Sequence, residues 1–454
     1  MAPTTPVLSP AEDYYSPGLR ARFRLDAAKA ATPSAPQEPY ADINYEVDED
    51  AYRRRSAARV AAGGLATSVP EGWPTRVDGP LVWSGADYER VDESAYVYYL
   101  FLEDMLEIHD ALQHFKTLDL DGNEVSPATF PLPTLGMKLT DVCTDVYEGR
   151  GFAIVRGLDP DAYSVEDLTI VYLGISSYIG DRRGKQDQRG SMLMHVMKRG
   201  DLTVDSEDKV SQLASPQRKR SSAEPNASLS HQPFHTDTVT DCLCLFTQSL
   251  AEIGGRSVIA SSWTVYNELA ETRPDLIHVL SAPDWPFDTF HRNPSHYTRP
   301  ILFHHDGKII ASFSRRLLVG HPPLEQRMPG IPGLTEAQAE ALDAVHFIAR
   351  KHEFKPRMER GDLRFINNMA VLHRREAFTN SHHGGSGGAA AAAMTGVRHL
   401  VRIWLHNEIM CWKLPQPLRI AWARVFEDSE REEQWDIVPP MKDGRILRVA
   451  GSCD

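Results

Sequence analysis

Cysteine is scarce in this 454-residue chain. The five that exist, Cys143, Cys242, Cys244, Cys411 and Cys453, are odd in number and scattered, which argues against a disulfide framework and for a reducing, cytosolic setting. Long hydrophobic runs are lacking as well. None approaches the roughly 20 apolar residues of a membrane-spanning helix, so no membrane association is expected. The opening MAPTTPVLSPAEDYY has no apolar stretch, so no secretory signal is expected either. Positive charge is also in deficit. With 49 Lys and Arg against 62 Asp and Glu, the net charge of −13 excludes a general nucleic-acid binder, which needs a basic field to displace counterions from phosphate. Internal repeats are absent, which sets aside solenoids and propellers.

What is present is the composition of an ordinary globular protein, 42% hydrophobic and 24% charged, long enough for a large core. Residues 1–75, rich in Pro, Ala and charge, read as a partly irregular extension that drapes over the main domain or is partly mobile, with one helix over 49–62. The main domain is expected over 76–428 and an acidic, then basic tail over 429–454. EDMLEIHDALQHF (103–115) places Met105, Leu106, Ile108, Leu112 and Phe115 on one helical face. LTDVCTDVYEGRG (139–151) predicts a second helix, GFAIVRG (151–157) a buried strand, and 164–180 a third helix with Ser164 as N-cap. Downstream, DCLCLFTQSL, RSVIASS, RPILFHH, KIIASFS, DLRFINNMAVLH and RHLVRIWLH are short, β-branched or aromatic, and separated by turns. They suggest an antiparallel barrel or jelly roll, with a long helix inserted at 332–352. Cys242 and Cys244 then share one face of a strand. The Gly/Ala-rich 381–396 is read as a surface loop.

The sharpest local pattern is QPFHTDT (232–238). In an extended chain residues two apart project to the same side, so His235 and Asp237 point together. An imidazole and a carboxylate are two of the three protein ligands of an open non-haem iron site, the third being a distant histidine. A second His-x-Asp triplet, His304-His305-Asp306, precedes Gly307 between two apolar runs and is better explained as a hairpin turn. Further along, GDLRFINNMAVLH ends at His373. After the loop, Arg398 and Arg402 lie four apart, on the same strand face as Leu400 and Trp404. Two inward guanidiniums require anions, either protein carboxylates or a bound ligand gripped in a bidentate fork.

Taken in order, HTD (235–237), GGRSVIASSWTVYNEL (254–269), GDLRFINNMAVLH (361–373) and RHLVR (398–402) resemble the taurine dioxygenase (TauD/TfdA-like) family of iron(II)/2-oxoglutarate-dependent dioxygenases. That family sits within the clavaminate synthase-like superfamily. The resemblance covers roughly residues 150–410. It implies a mainly β fold with flanking helices, a double-stranded β-helix (jelly roll, cupin-like), with helices from 100–180 and 332–352 against its sheets. It implies iron(II) held by His235, Asp237 and His373, 2-oxoglutarate as cosubstrate and O2 as oxidant. Arg398 would bind the distal carboxylate of 2-oxoglutarate with help from Ser257, where the family more often has threonine. Arg402 falls where relatives bind an acidic substrate group, and the 180–196 stretch where relatives contact substrate makes Arg189 and His195 candidates. The expected reaction is oxidation of a small acidic or amino-acid-like metabolite, by hydroxylation, desaturation, cyclisation or C–N cleavage, with release of succinate and CO2. A homo-oligomer is consistent with the relatives. The insertion between His373 and Arg398 is longer than the family pattern and would form or flank a lid. The residues also admit a zinc-dependent hydrolase or a catalytically retired jelly-roll binding protein. The hydrolase has no use for a carboxylate clamp, and a retired site has no need of the intact ligand set.

Overall fold

The computed structural model describes residues 40–197, 231–237, 239–290, 294–321, 326–380, 396–442 and 445–446. The expectations for residues 1–39 and for the Gly/Ala-rich 381–395 lie outside the described residues. Among those described, no helix is long and apolar enough to cross a membrane.

Helices α1 (Glu49–Ala62), α2 (Leu102–Thr117), α3 (Leu135–Tyr147) and α4 (Val165–Ser177) precede most strands. In α2, Ile108, Leu112 and Phe115 are buried at helical spacing, but Leu106 is 58% exposed. Two residues before Ile108, it falls about 200° around the helix, so the expected apolar stripe is narrower than read. Helix α3 begins four residues before its expected start. The Glu107 carboxylate on α2 accepts from the Thr134 and Leu135 amides at 2.8 and 3.0 Å, so the cap comes from another helix. Ser164 caps α4 as expected, accepting from the Asp167 amide at 3.1 Å, a contact worth about 1 kcal/mol. Further along lie α5 (Ser262–Thr272), α6 (Pro274–Ser281), α7 (Glu336–Lys351) and α8 (Arg419–Phe426). Helix α7 opens with a reciprocal cap between Thr335 and Gln338. It also holds α1: Arg55 meets Glu336 and Asp343 at 2.6 and 3.1 Å, and Arg59 meets the buried Glu340.

The strands are β1 (Val97–Tyr99), β2 (Phe152–Arg156), β3 (Arg182–Arg183), β4 (Met194–Val196), β5 (Cys242–Ser249), β6 (Ile253–Gly254), β7 (Ser257–Ser261) and β8 (Trp285–Asp288). They continue as β9 (His296–Arg299), β10 (Leu302–His305), β11 (Lys308–Ala311), β12 (Leu363–Asn367), β13 (Val371–Arg375), β14 (Phe378–Thr379) and β15 (His399–His406). A seven-stranded sheet runs β1-β2-β12-β5-β15-β3, with β4 also on β15. It is mixed, because β1 and β2 pair in parallel while the other pairs are antiparallel. Two-stranded ladders β7–β13, β6–β14, β8–β9 and the hairpin β10–β11 complete the β structure of the core. Asp306 and Gly307 form the hairpin turn with φ of 50° and 72°, the left-handed pair that such a turn demands.

The run 363–373 is not the single strand it resembles. It breaks at Asn368–Ala370, so β12 lies in the large sheet and β13 pairs with β7. The Asn367 side chain accepts from the Met369 amide at 3.1 Å, closing an Asx-type turn. Apolar residues pack on both faces of the large sheet. Cys242, Cys244 and Phe246 of β5 join α2, α3 and α4 in one cluster, whereas Leu243 and Leu245 join the β7, β13 and α5 side in another. The two cysteines share a face, as their spacing predicts.

Candidate metal centre

His235 sits in an extended segment just before β5 and makes a two-way backbone bridge with His373 of β13. The His235 amide donates to the His373 carbonyl at 3.1 Å, and the reverse bond is 2.9 Å. Two residues on, Asp237 is clipped in place by Asn368. Its amide donates to the Asn368 Oδ1 at 2.8 Å, and the Asn368 Nδ2 donates to its carbonyl at 2.9 Å. The turn that separates β12 from β13 thus also fixes the Asp237 backbone. One ligand atom from each of His235, Asp237 and His373 lies within 4.8 Å of the others, and the two imidazole centroids are 4.4 Å apart.

The protonation states suit a cation. The His235 Nδ1 lies 2.9 Å from the Pro233 carbonyl and donates to it, which leaves Nε2 with its lone pair turned inward. Burial, followed by the neighbouring His373, pushes His235 down to about 3, so the ring is neutral. Burial alone would raise the Asp237 carboxyl, but Arg402 and then His373 hold it well below the usual carboxylate range. The Trp404 indole N–H donates to Asp237 Oδ2 at 2.5 Å, and Arg402 Nη1 lies 3.2 Å from the same oxygen. Two imidazoles and one ionised carboxylate converge on a buried point, and the His373 Nδ1 has no hydrogen-bond partner among the described residues. That donor set fits a divalent iron or zinc ion.

A second group, Asp241, His406 and Cys411, is equally close-knit. There the Asp241 carboxylate is already bonded to His406, and burial pushes the Cys411 thiol up to about 11, away from the thiolate that would ligate.

The other expected site residues divide. Arg398, buried, donates from Nε to the Gly255 carbonyl at 2.8 Å, and its guanidinium lies 5.7 Å from the Phe378 ring. A Cβ on Gly255 would come within 2.8 Å of Arg398 Cδ, so only glycine lets this arginine pass. Ser257 follows two residues later, at the start of β7. It shares a strand face with Ile259, whose cross-strand partner is His373, so Ser257 and His373 look into one interior. Arg402, expected at an acidic substrate group, lies against Asp237. Its Nε also donates to the Gln186 Oε1 at 2.8 Å, and its charge helps keep the Asp237 carboxylate ionised.

His195 is the clearest difference. It pairs with Val401, which puts its side chain on the helix-covered face of the sheet, opposite Arg402 and Trp404. There it meets His399 at 2.8 Å and the Asp436 carbonyl at 2.7 Å. Arg189 pairs with Asp436 at 3.0 Å, tying its loop to the C-terminal segment instead of facing the triad. The residues of β4 on the inner face are Met194 and Val196. Sequence reasoning passed over Asn368, Gln186 and the indole of Trp404. The paired asparagines after a strand-like run were the available signal for the first, and the i+2 step from Arg402 for the last.

Residues 115–404 match the family described as taurine catabolism dioxygenase TauD, TfdA family. The taurine hydroxylase-like protein SAT17 of Stachybotrys chartarum is 33% identical over 361 residues, covering 79% of this chain and 87% of that protein. FR-33289 synthase of Streptomyces rubellomurinus is 25% identical over 340 residues, covering 73% and 91%. Among solved structures, an asparagine oxygenase in complex with Fe(II), 3-hydroxyasparagine and succinate aligns over 69% of this chain and 94% of its own, with a TM-score of 0.49 and 16% identity.

Proposed function

Because the chain belongs to the taurine catabolism dioxygenase TauD, TfdA family and is an iron(II)- and 2-oxoglutarate-dependent oxygenase, we propose that His235, Asp237 and His373 hold its iron. Arg398 and Ser257 hold the distal carboxylate of 2-oxoglutarate, and the enclosing fold is a double-stranded β-helix whose second sheet is built on β7 and β13. The observation that carries this reading is the buried convergence of two imidazoles and a carboxylate within 4.8 Å. When bound, iron(II) with 2-oxoglutarate and O2 supplies the oxidising power, and succinate and CO2 are released.

The chain's own residues do the rest. Pro233 fixes the His235 tautomer, Asn368 fixes the Asp237 backbone, and Trp404 and Arg402 fix its carboxylate orientation and keep it ionised. Arg398, seated over Gly255, sets the depth at which a dicarboxylate can lie. The substrate is a small acidic or amino-acid-like metabolite. Support comes from the taurine in the family description, a small zwitterion with an anionic head.

Anaerobic titration with iron(II) and 2-oxoglutarate tests this by the visible charge-transfer band of the chelate. The band is expected in the wild type, absent in His235→Ala, and shifted to higher cosubstrate concentration in Arg398→Ala. A protein that shows no band while binding zinc tightly would return the site to the hydrolase reading.

A further inference from the structure

Arg364 is an unusual residue to find on β12, a central strand. It is 3% exposed and aligned in one row with Leu245 of β5 and Arg402 of β15, so its side chain enters the same interior as Asp237's partners. Its one hydrogen bond among the described residues is a long one, from Nη2 to the Thr247 Oγ1 at 3.3 Å. Its Nε and Nη1 are buried with no partner there. Burial pulls the guanidinium down to about 10, which still leaves it cationic at neutral pH.

Among the described residues no carboxylate forms an ion pair with it, and Asp362 acts on it only at longer range. Asp362, two residues back on the same face, is taken: Arg156 grips both its oxygens at 2.8 and 3.0 Å, and the Glu359 amide donates to it at 2.7 Å. Arg156 is served further by Glu93 and Glu359, at 3.2 and 3.3 Å. Two arginines on adjacent inward positions are thus treated oppositely. A buried cation with unfilled donors is costly unless an anion arrives.

The Thr247 contact shows which way Arg364 leans. Thr247 pairs with Leu400, two residues after Arg398 and just past a register shift at His399–Leu400, so along the strand the Arg364 head turns toward the Arg398 end of β15 and away from Arg402 and Asp237. We infer that Arg364 is a second cationic anchor for the distal carboxylate of 2-oxoglutarate, beside Arg398. This rests on the reading that Arg398 and Ser257 receive that carboxylate. A ligand whose keto-acid end lies at the triad would present its far carboxylate toward the Arg398 end of β15, the direction in which Arg364 leans.

Dissociation constants of 2-oxoglutarate and of 2-oxobutyrate, which has the same keto acid but no distal carboxylate, are measured anaerobically on the iron(II)-loaded protein. Arg364→Met is expected to weaken 2-oxoglutarate about ten- to a hundredfold, the worth of a charged hydrogen-bonded contact, and to leave 2-oxobutyrate unchanged. Arg364→Lys is expected to recover part of the loss. Without ligand, Arg364→Met melts no lower than wild type, since an unsatisfied buried cation has been removed, yet its melting temperature rises less on adding 2-oxoglutarate. A merely structural arginine would give the reverse, a lower apo melting point and an unchanged ligand shift. If Arg398→Met weakens 2-oxoglutarate and Arg364→Met does not, the second anchor is wrong and the pocket reading stands. If neither variant weakens it, both are wrong. Should Arg364→Met fail to fold, Arg364→Gln carries the same comparison.

Discussion

The two faces of the large sheet are built by the same strands and differ by one residue of register. Toward α2, α3 and α4, the strands present Cys242, Cys244 and Phe246, Leu363 and Phe365, and Val401, Ile403 and Leu405. Toward the interior the same strands present Leu243, Leu245 and Thr247, Arg364 and Ile366, and Leu400, Arg402 and Trp404. The first set is what close-packed helices require. The second mixes apolar residues with buried charge, and buried charge is the informative departure in a protein interior. One face is sealed by helices, and the other carries the residues of the proposed site.

The strongest way to break this contrast is Asp237→Asn. It keeps the shape but removes the ionised ligand, so iron-dependent succinate formation is expected to fall to background. Retained turnover would show that the inner charges are ornamental to the chemistry. Phe365→Ala tests the other face. It should lower unfolding stability by about 3–5 kcal/mol, while the folded fraction binds iron(II) and 2-oxoglutarate as wild type does. Altered affinity in that variant would mean the faces are not separable. Trp404→Phe sharpens the inner side more finely, because it keeps an aromatic ring and deletes one N–H. Iron(II) affinity by competition with a chelator is expected to drop about 10–100-fold, as for other groups that orient a metal ligand.

How much of this was legible follows from the range of each interaction. The β5 alternation, the Asp306–Gly307 turn and the Ser164 cap are settled within a few residues, and the sequence shows them directly. So is the His235-x-Asp237 geometry. The start of α3 is not, because Glu107 supplies its cap from another helix. The break at Asn368 is only partly local: the Asn367 side chain closes its turn, but Asn368 is held by bonds to Asp237 and Thr240 far upstream, which the stretch taken alone does not show. For Arg402 the pattern revealed an inward charge that needs an anion, but not that the anion is Asp237. His195 carried the right residue type in the right loop. Its face is decided by pairing with Val401, and no local pattern holds that information.

The smallest effect belongs to the helix-covered face, where His399 meets His195 without a carboxylate between them. Burial, and then His195, push His399 down to about 3, and burial lowers His195 as well. An unfolded histidine titrates near 6.5, so below that pH the unfolded chain binds a proton that the folded chain refuses. Stability is therefore complete above about pH 6.5 and is lost as pH falls from there toward 3. For His399 alone the loss between pH 6.5 and 5.5 is about 1 kcal/mol. His346, also held near 3, adds its own loss in the same window, so the wild-type profile alone does not isolate the pair. The difference between wild type and His399→Gln does. Chemical unfolding at the two pH values should show the wild type losing about 1 kcal/mol more than the variant. Equal losses would mean that the pair accepts a proton in the folded state, and that the helix-covered face is less dry than its apolar neighbours indicate.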